Sequence, residues 1–299
     1  KYININILLI CLFFSKAVFA EDTPIIVIAP GKTVQSKSIV GSDVVVIDSK
    51  KLEQSNEFFL GDVLNKNLNG INYFQTGGYG TTSGIQLRGL PKRYSTVYVD
   101  GVKMSDPSSP SNDYYFNHLT QSSIDRVEIL KGSQTSLYGS SAIGGTINIF
   151  TKKGREGHNR DINVSTASNN TKNFNISFDG KNELYDYYVD YNNFSTDGIS
   201  AMNDNDENDG YRDDGIVANL GYNINNKLRL ENYFRYSDSY LHYDEVTSGR
   251  ADGNNTDDQE GSYSLRLIRN GNHSTNTLSY NKTHFKRSTT GYTGSKDIY

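Results

Sequence analysis

The densest run of reactive side chains in this sequence is acidic. "MNDNDENDGYRDDG" sets Asp204, Asp206, Glu207, Asp209, Asp213 and Asp214 close together, and a later polar region carries Asp244, Glu245, Asp257 and Asp258. Crowded carboxylates repel one another unless water or a cation lies between them. Calcium takes roughly six to eight oxygen ligands in flexible geometry, which suits carboxylates and Asn side chains drawn from two neighbouring loops. The spacing is not that of an EF-hand, because a reading from Asn205 as N-x-E-x-D-G reaches Ile216 where the bidentate Glu is required. Composition alone leaves a solvated acidic loop and a calcium site both open.

Other chemistry finds little support. No nucleophile, base and acid fall in a usable order and no zinc spacing occurs, so an enzyme is not expected. "GYGTTSG", Gly78 to Gly84, misses the dinucleotide pattern G-x-G-x-x-G by one residue and precedes a strand-like "IQLRG" where a helix is required. The formal charge of -4, with both signs spread along the chain, gives no basic footprint for nucleic acid.

The elements that would position these groups fall into two regions behind a leader. Residues 1–20 read as a secretory signal: Lys1 precedes the apolar "ILLICLFF", and "SKAVFA" closes on Val18 and Ala20. The run falls short of the roughly 20 residues a membrane helix needs. Cys11 lies within it and is the sole cysteine, so the exported chain has neither disulfides nor thiolate metal sites. With no initiating Met and an ending inside an alternating segment, the sequence is expected to be a fragment.

From Glu21 to about Gly154 short strands mix with helices and glycine turns. "VVVIDS" reads as a strand over Val44 to Asp48. "SNEFFLGDVLNKNLNG" reads as a helix capped by Ser55, with Leu60, Val63, Leu64 and Leu68 on one face and Gly70 as its stop. "STVYVDGV" reads as a strand that turns at Asp100-Gly101. After Lys153 the pattern is strict alternation, as in Ile162 and Val164, Phe174, Ile176 and Phe178, Tyr185 to Tyr191, Ile216 to Tyr222, and Leu228 to Tyr236. Short turns alternate with long polar loops, the signature of an outer-membrane barrel; a soluble sandwich also alternates, but over shorter faces and without an export signal.

A small globular region ahead of such strands makes the glycine-rich motifs intelligible. "IQLRGLPKRYSTVYVDGV" followed by "IDRVEILKGSQTSLYGSSAIGGTINIFTKK" closely resembles the plug of TonB-dependent outer-membrane receptors, although Ser133 stands where that family usually has proline. The resemblance is strong from Glu21 to about Lys153 and rests on pattern alone thereafter. In the residues themselves, Gly139 allows a turn and Gly144-Gly145 lets the following strand run close to a neighbouring backbone. Arg88 and Glu128 occupy motif positions and are read as pins within the plug or to the wall. The implied fold is mainly β: residues 1–20 a signal peptide, 21–154 a tail and α/β plug, and 155–299 the first strands of a large antiparallel transmembrane β-barrel of about 22 strands. About seven or eight of those strands are expected in this chain.

The resemblance implies further expectations. The family draws energy from a partner, TonB, which grips a short N-terminal segment; Asp22, Thr23, Pro24, Ile25, Ile26, Val27 and Ile28 stand where it belongs, a β-prone run suited to strand addition. Motif order and spacing look most like the cobalamin receptor subgroup, which implies a corrinoid ligand, with ferric siderophores or haem as alternatives. Thr76, Tyr79, Thr81 and Thr82 in a first apical loop, and Ser108 and Ser109 in a second, are the candidate ligand contacts, offering hydroxyls and an aromatic face to a large polar molecule. His118 is read as structural rather than as a haem ligand. Cobalamin receptors order external loops with calcium, so the resemblance favours the calcium reading, with Asp204, Asp206, Asp209, Asp244 and Asp258 as ligands. A passive pore or an adhesin is the alternative of a different class; the intact tail argues against it.

Overall fold

The computed structural model describes residues 26–27, 32, 35–41, 43–67, 70–107, 109, 111–200, 208–245, 250–290 and 292–298. The chain forms an N-terminal body packed into the hollow of a large antiparallel sheet. The body begins with a ribbon of β1 (Ile26–Val27) and β2 (Gln35–Ser36), followed by β3 (Asp43–Ile47), α1 (Ser49–Glu53), α2 (Leu60–Asn67), β4 (Ile71–Gln75), β5 (Ser83–Leu87), β6 (Ser95–Val99), β7 (Val102–Met104), β8 (Ile124–Lys131), α3 (Thr135–Tyr138) and β9 (Gly145–Thr151). One five-stranded sheet runs in the order β3-β8-β9-β6-β7, and β4 pairs with β5.

The local reasons are visible in the sequence. Asp48 caps α1 by accepting a hydrogen bond from the Lys51 N–H at 3.0 Å. In α2, Leu60, Val63 and Leu64 share one face and are fully buried against Ile85, Leu87, Val97 and Ile129. The helix starts at Leu60, four residues later than a cap at Ser55 predicts. Ser55 instead makes a local turn with the Glu57 N–H, and the Leu60 N–H is drawn to the Leu119 carbonyl at 2.8 Å, so tertiary pairing overrides the local signal. Leu68 lies outside the described residues. Gly145 answers to a close approach: a β-carbon there would lie 2.2 Å from the Leu130 carbonyl oxygen, so only glycine lets β9 lie between β8 and β6. Glu128, fully buried, meets Arg126 on its own strand at 2.9 Å, while Arg88 is exposed and pairs with exposed Asp43.

The second region is an eight-stranded meander: β10 (Gly157–Ala167), β11 (Thr171–Lys181), β12 (Tyr185–Thr196), β13 (Tyr211–Asn225), β14 (Leu228–Glu245), β15 (Arg250–Asn270), β16 (Thr275–Thr289) and β17 (Tyr292–Ile298), each antiparallel to the next. Its two faces invert the usual pattern. Ile162, Val164, Phe178, Leu220, Phe234, Leu265 and Leu278 stand exposed on the outside, while Asn175, Asp190, Asp213, Arg235, Ser237 and Glu260 are buried inside. Apolar residues outward and polar residues inward mark a wall whose outer solvent is lipid.

Register carries the same message. The outward pair Val164 and Phe174 continues across the sheet to Asn193, Asp214 and Asp238, whereas the apolar triplet Leu230, Leu267 and Leu278 lies nearer the short-turn end. The apolar band therefore shifts along the strands from β10 to β16, the stagger that a tilted barrel wall requires. Among the described residues no helix is long and apolar enough to cross a membrane.

Candidate functional site

The most concentrated polar chemistry lies where the body meets the wall. The loop between β7 and β8 delivers the short turn Phe116–His118 into the interior. His118 sits between two wall carboxylates, its Nδ1 3.5 Å from Asp213 and its Nε2 3.5 Å from Asp258. Asp213 also accepts a hydrogen bond from the Ser237 hydroxyl at 2.6 Å, and Asp258 is held by Arg287 at 2.7 and 3.1 Å. Arg287 reaches back to Asp106 of the body at 3.1 Å. One strand over, Arg235 donates to the His118 carbonyl at 2.6 Å and pairs with Glu260, which also accepts from Tyr114 at 3.0 Å.

The physical logic is that of buried pairs. Arg235 and Glu260 are 4% and 5% exposed at their side chains, so neither charge is hydrated and each depends on the other. Burial alone would pull the His118 imidazolium down, but its hydrogen bonds to the Asp213 and Asp258 carboxylates outweigh it and raise the pKa to about 9. His118 is therefore a cation at neutral pH. Burial pushes the Asp100 carboxyl up against the opposing hydrogen bonds from Thr151. Asn219 of the wall donates to the Thr151 hydroxyl at 2.6 Å and to the Lys152 carbonyl at 2.8 Å, extending the seam.

An aromatic seam adds to this. Phe58, Phe59 and Tyr79 of the body meet Phe194 with centroids 4.9 to 5.2 Å away, and Tyr211 lies 6.0 Å from both Phe59 and Phe194. Such tilted and edge-on contacts contribute about 0.5–1.5 kcal/mol each beyond area burial. Charged latch and aromatic seam together hold a folded body inside a lipid-facing wall.

That arrangement coincides with a family match. Residues 36–146 fit the TonB-dependent Receptor Plug Domain. Across a longer stretch the chain resembles the "Vitamin B12 transporter BtuB" of Vibrio cholerae, 25% identical over 234 residues, covering 74% of this chain and 38% of that protein. The chain carries a plug domain of the TonB-dependent receptor type. The Vibrio vulnificus protein of the same name is 31% identical over 163 residues, covering 54% of this chain and 26% of that protein. Among solved structures, P. aeruginosa FpvA bound to a heterologous pyoverdine matches with a TM-score of 0.73 at 14% identity, covering 89% of this chain and 37% of that one. The chain thus spans well under half the length of these relatives.

The structure distributes the expected site residues unevenly. Ile26 and Val27 pair with Ser36 and Gln35, while Asp22, Thr23, Pro24, Ile25 and Ile28 lie outside the described residues. Thr76, Tyr79, Thr81 and Thr82 share the β4–β5 loop, where Thr76 and Thr81 bond its own carbonyls. The Tyr79 ring packs into the aromatic seam. Ser109 is buried and donates its N–H to Asp106 at 3.1 Å, and Ser108 lies outside the described residues.

The acidic set does not converge on one point. Asp204 and Asp206 lie outside the described residues; Asp209 is buried near the long-loop end, where the neighbouring Gly210 carbonyl bonds the His242 N–H, and Asp244 sits further out on that same strand. Asp258 pairs in register with Ser239, five residues from Asp244, which separates them by roughly 17 Å at the strand rise. Asp258 therefore does not fit a calcium site with Asp244, and Arg287 already balances its charge. Among the described residues no group of three His, Cys, Asp or Glu is placed to hold a metal ion. Arg235, Glu260 and Arg287, absent from the sequence-based site, form the latch. Their sequence signal is parity: each is a charged residue on the inward-facing positions of its strand.

Proposed function

We propose that this receptor imports a scarce, large nutrient across the outer membrane of a Gram-negative cell, and that the nutrient is cobalamin or a related corrinoid. The observation that carries the ligand is the similarity to proteins named vitamin B12 transporters over about three quarters of the chain, 74% in one case and 75% in another. Likeness to siderophore receptors at 18–20% identity carries the fold alone and does not favour an iron chelate. A body latched into the wall by buried charges blocks passive flow, so transport needs work from outside the membrane. The proposed point of application is the segment Asp22–Ile28, whose β-prone sequence suits strand addition to TonB.

The test separates two activities. Val27→Pro removes a ladder hydrogen bond from that segment and should abolish energised uptake while corrinoid binding at the surface stays near normal. Equal uptake by variant and parent counts against the tail. Saturable binding of a ferric chelate with none of a corrinoid reverses the ligand assignment.

The acidic loop is proposed to be ordered by calcium through Asp209 and Asp244 together with Asp204 and Asp206, which removes part of the ordering cost from ligand binding. A dissociation constant unchanged by chelator, with no calcium-dependent protection of residues 200–215 from proteolysis, leaves that loop as solvent-facing charge.

A further inference from the structure

We propose that Asn117 and Tyr211 are positioning residues of the nutrient site: together they fix the two expected ligand loops of the plug to each other and to the wall. The inference rests on the import reading above and deepens it by naming buried residues that set affinity without touching the ligand.

Each loop is closed at its own base. In the first, the Thr76 N–H donates to the Thr82 carbonyl at 3.0 Å, and the Gly78 carbonyl accepts from the Thr81 hydroxyl at 2.8 Å. In the second, the Asp106 N–H donates to the Asp113 carbonyl at 3.3 Å and the Ser109 N–H to the Asp106 carbonyl at 3.1 Å. These bonds shape the loops but leave the distance between them open. That distance is set beneath the loops by the buried turn Phe116–His118, on which the second loop descends. Its Asn117 Nδ2 donates to the Gly80 carbonyl at 3.0 Å, and the Phe116 N–H donates to the Ser83 hydroxyl at 2.9 Å.

Tyr211, the first residue of β13, completes a triangle. Its hydroxyl donates to the Asn117 carbonyl at 3.0 Å. Gly80 lies so close against its ring that a β-carbon there would stand 2.1 Å from Cδ2, and the φ of +82° at Gly80 again favours glycine. One ring of the wall therefore meets the supports of both loops. Asn117 is 5% exposed, and its Oδ1 has no partner among the described residues, so the amide serves the single bond to Gly80. An unpaired buried acceptor costs stability, and Asn117 carries that cost. The return is a fixed spacing: a large ligand that meets both loops loses less freedom on binding when they already stand in place.

The test measures cyanocobalamin binding to the intact receptor in outer-membrane vesicles. Asn117→Leu removes the donor and the unpaired acceptor together, so the fold loses little. Its dissociation constant should rise about tenfold with the number of sites per receptor unchanged. Amide hydrogen exchange of residues 76–82 should quicken by about tenfold, while that of Leu60–Asn67 stays within about twofold. Tyr211→Phe keeps the ring on Gly80 and drops the bond to Asn117, so the constant should rise by about threefold. Asn219→Leu is the control: it breaks plug–wall bonds further along β13 and should leave affinity within about twofold. An unchanged constant in Asn117→Leu, or an equal rise in Asn219→Leu, overturns the positioning role while the import reading stands. So does a loss of sites at the parent's affinity, which marks damage to the fold. A parent receptor that saturates with a ferric chelate and not with cyanocobalamin overturns the ligand reading alone, and the three variants are then judged by the same measurements with the chelate.

Discussion

The plug and the wall solve opposite solvent problems with one chain. The plug buries a mainly apolar core around Leu60, Leu64, Val99 and Ile149, as a water-soluble domain does. The wall buries Asp190, Asp213, Arg235 and Glu260 and turns Ile162, Val164 and Leu278 outward. Apolar burial therefore holds the plug together, whereas backbone ladders hold the wall and its buried polar face is free for other work. Plug and wall meet chiefly through the wall's polar face, so beside the aromatic seam at Phe194 their junction is built from ion pairs and hydrogen bonds. Such contacts are strong in place and highly sensitive to loss of one partner.

The sharpest way to break the comparison is Arg235→Leu. Among the described residues, the change leaves the Glu260 carboxylate buried with Tyr114 as its donor and takes a donor from the His118 carbonyl. Removing one member of a buried pair costs roughly 3–5 kcal/mol. The loss should appear as earlier release of the plug from the wall in a urea titration followed by protease sensitivity of residues 105–123. If Arg235→Leu and the outward Phe234→Ala release the plug at the same urea concentration, the latch is not what holds it.

The second effect is pH-dependent. His118 has its pKa raised from 6.5 to about 9, so its contribution is fully present below the unfolded value and is lost as pH rises through 9. The shift corresponds to stability on the order of 3 kcal/mol. Retention of the plug should weaken between about pH 6.5 and pH 9 and level off above. His118→Gln should flatten this dependence; an unchanged slope would show that another group sets it.

These two tests concern residues that differ in how far the sequence reveals them. The wall strands were legible because alternation survives in any solvent: Phe174, Ile176 and Phe178 announce β11 without reference to what lies outside. The sheet bears out the mainly β fold and its eight strands. Within the plug, Leu60, Val63 and Leu64 gave the face of α2, but its start was misplaced because Phe59 bridges Thr120, a contact made after a long excursion of chain. Asp48, read as the end of a strand, caps α1 instead, and the helix Ser49–Glu53 is too short to show periodicity. His118 was legible only as a solitary histidine. Its partner Tyr211 lies 93 positions away and the two carboxylates lie further still, so no local pattern could show the latch. The ligand contacts named in loops are the least legible, because loop residues answer to the ligand and not to periodicity.

The smallest effect tests whether the wall's polar lining serves stability at all. Ser237 and Ser264 are both buried on the inner face, but their hydroxyls differ: Ser237 donates to Asp213 at 2.6 Å, whereas the Ser264 hydroxyl has no partner among the described residues. Ser237→Ala deprives a carboxylate of a short hydrogen bond and should destabilise by about 1.5–3 kcal/mol, the range for bonds to charged groups. Ser264→Ala removes a group whose desolvation is uncompensated, so it should be neutral or stabilise by up to about 1 kcal/mol. Paired urea titrations of the two variants give the answer as a difference in sign. A cost at Ser264 equal to that at Ser237 would mean that an ordered water completes the inner face there. The polar lining would then be structural throughout, and plug and wall would differ only in the solvent they face.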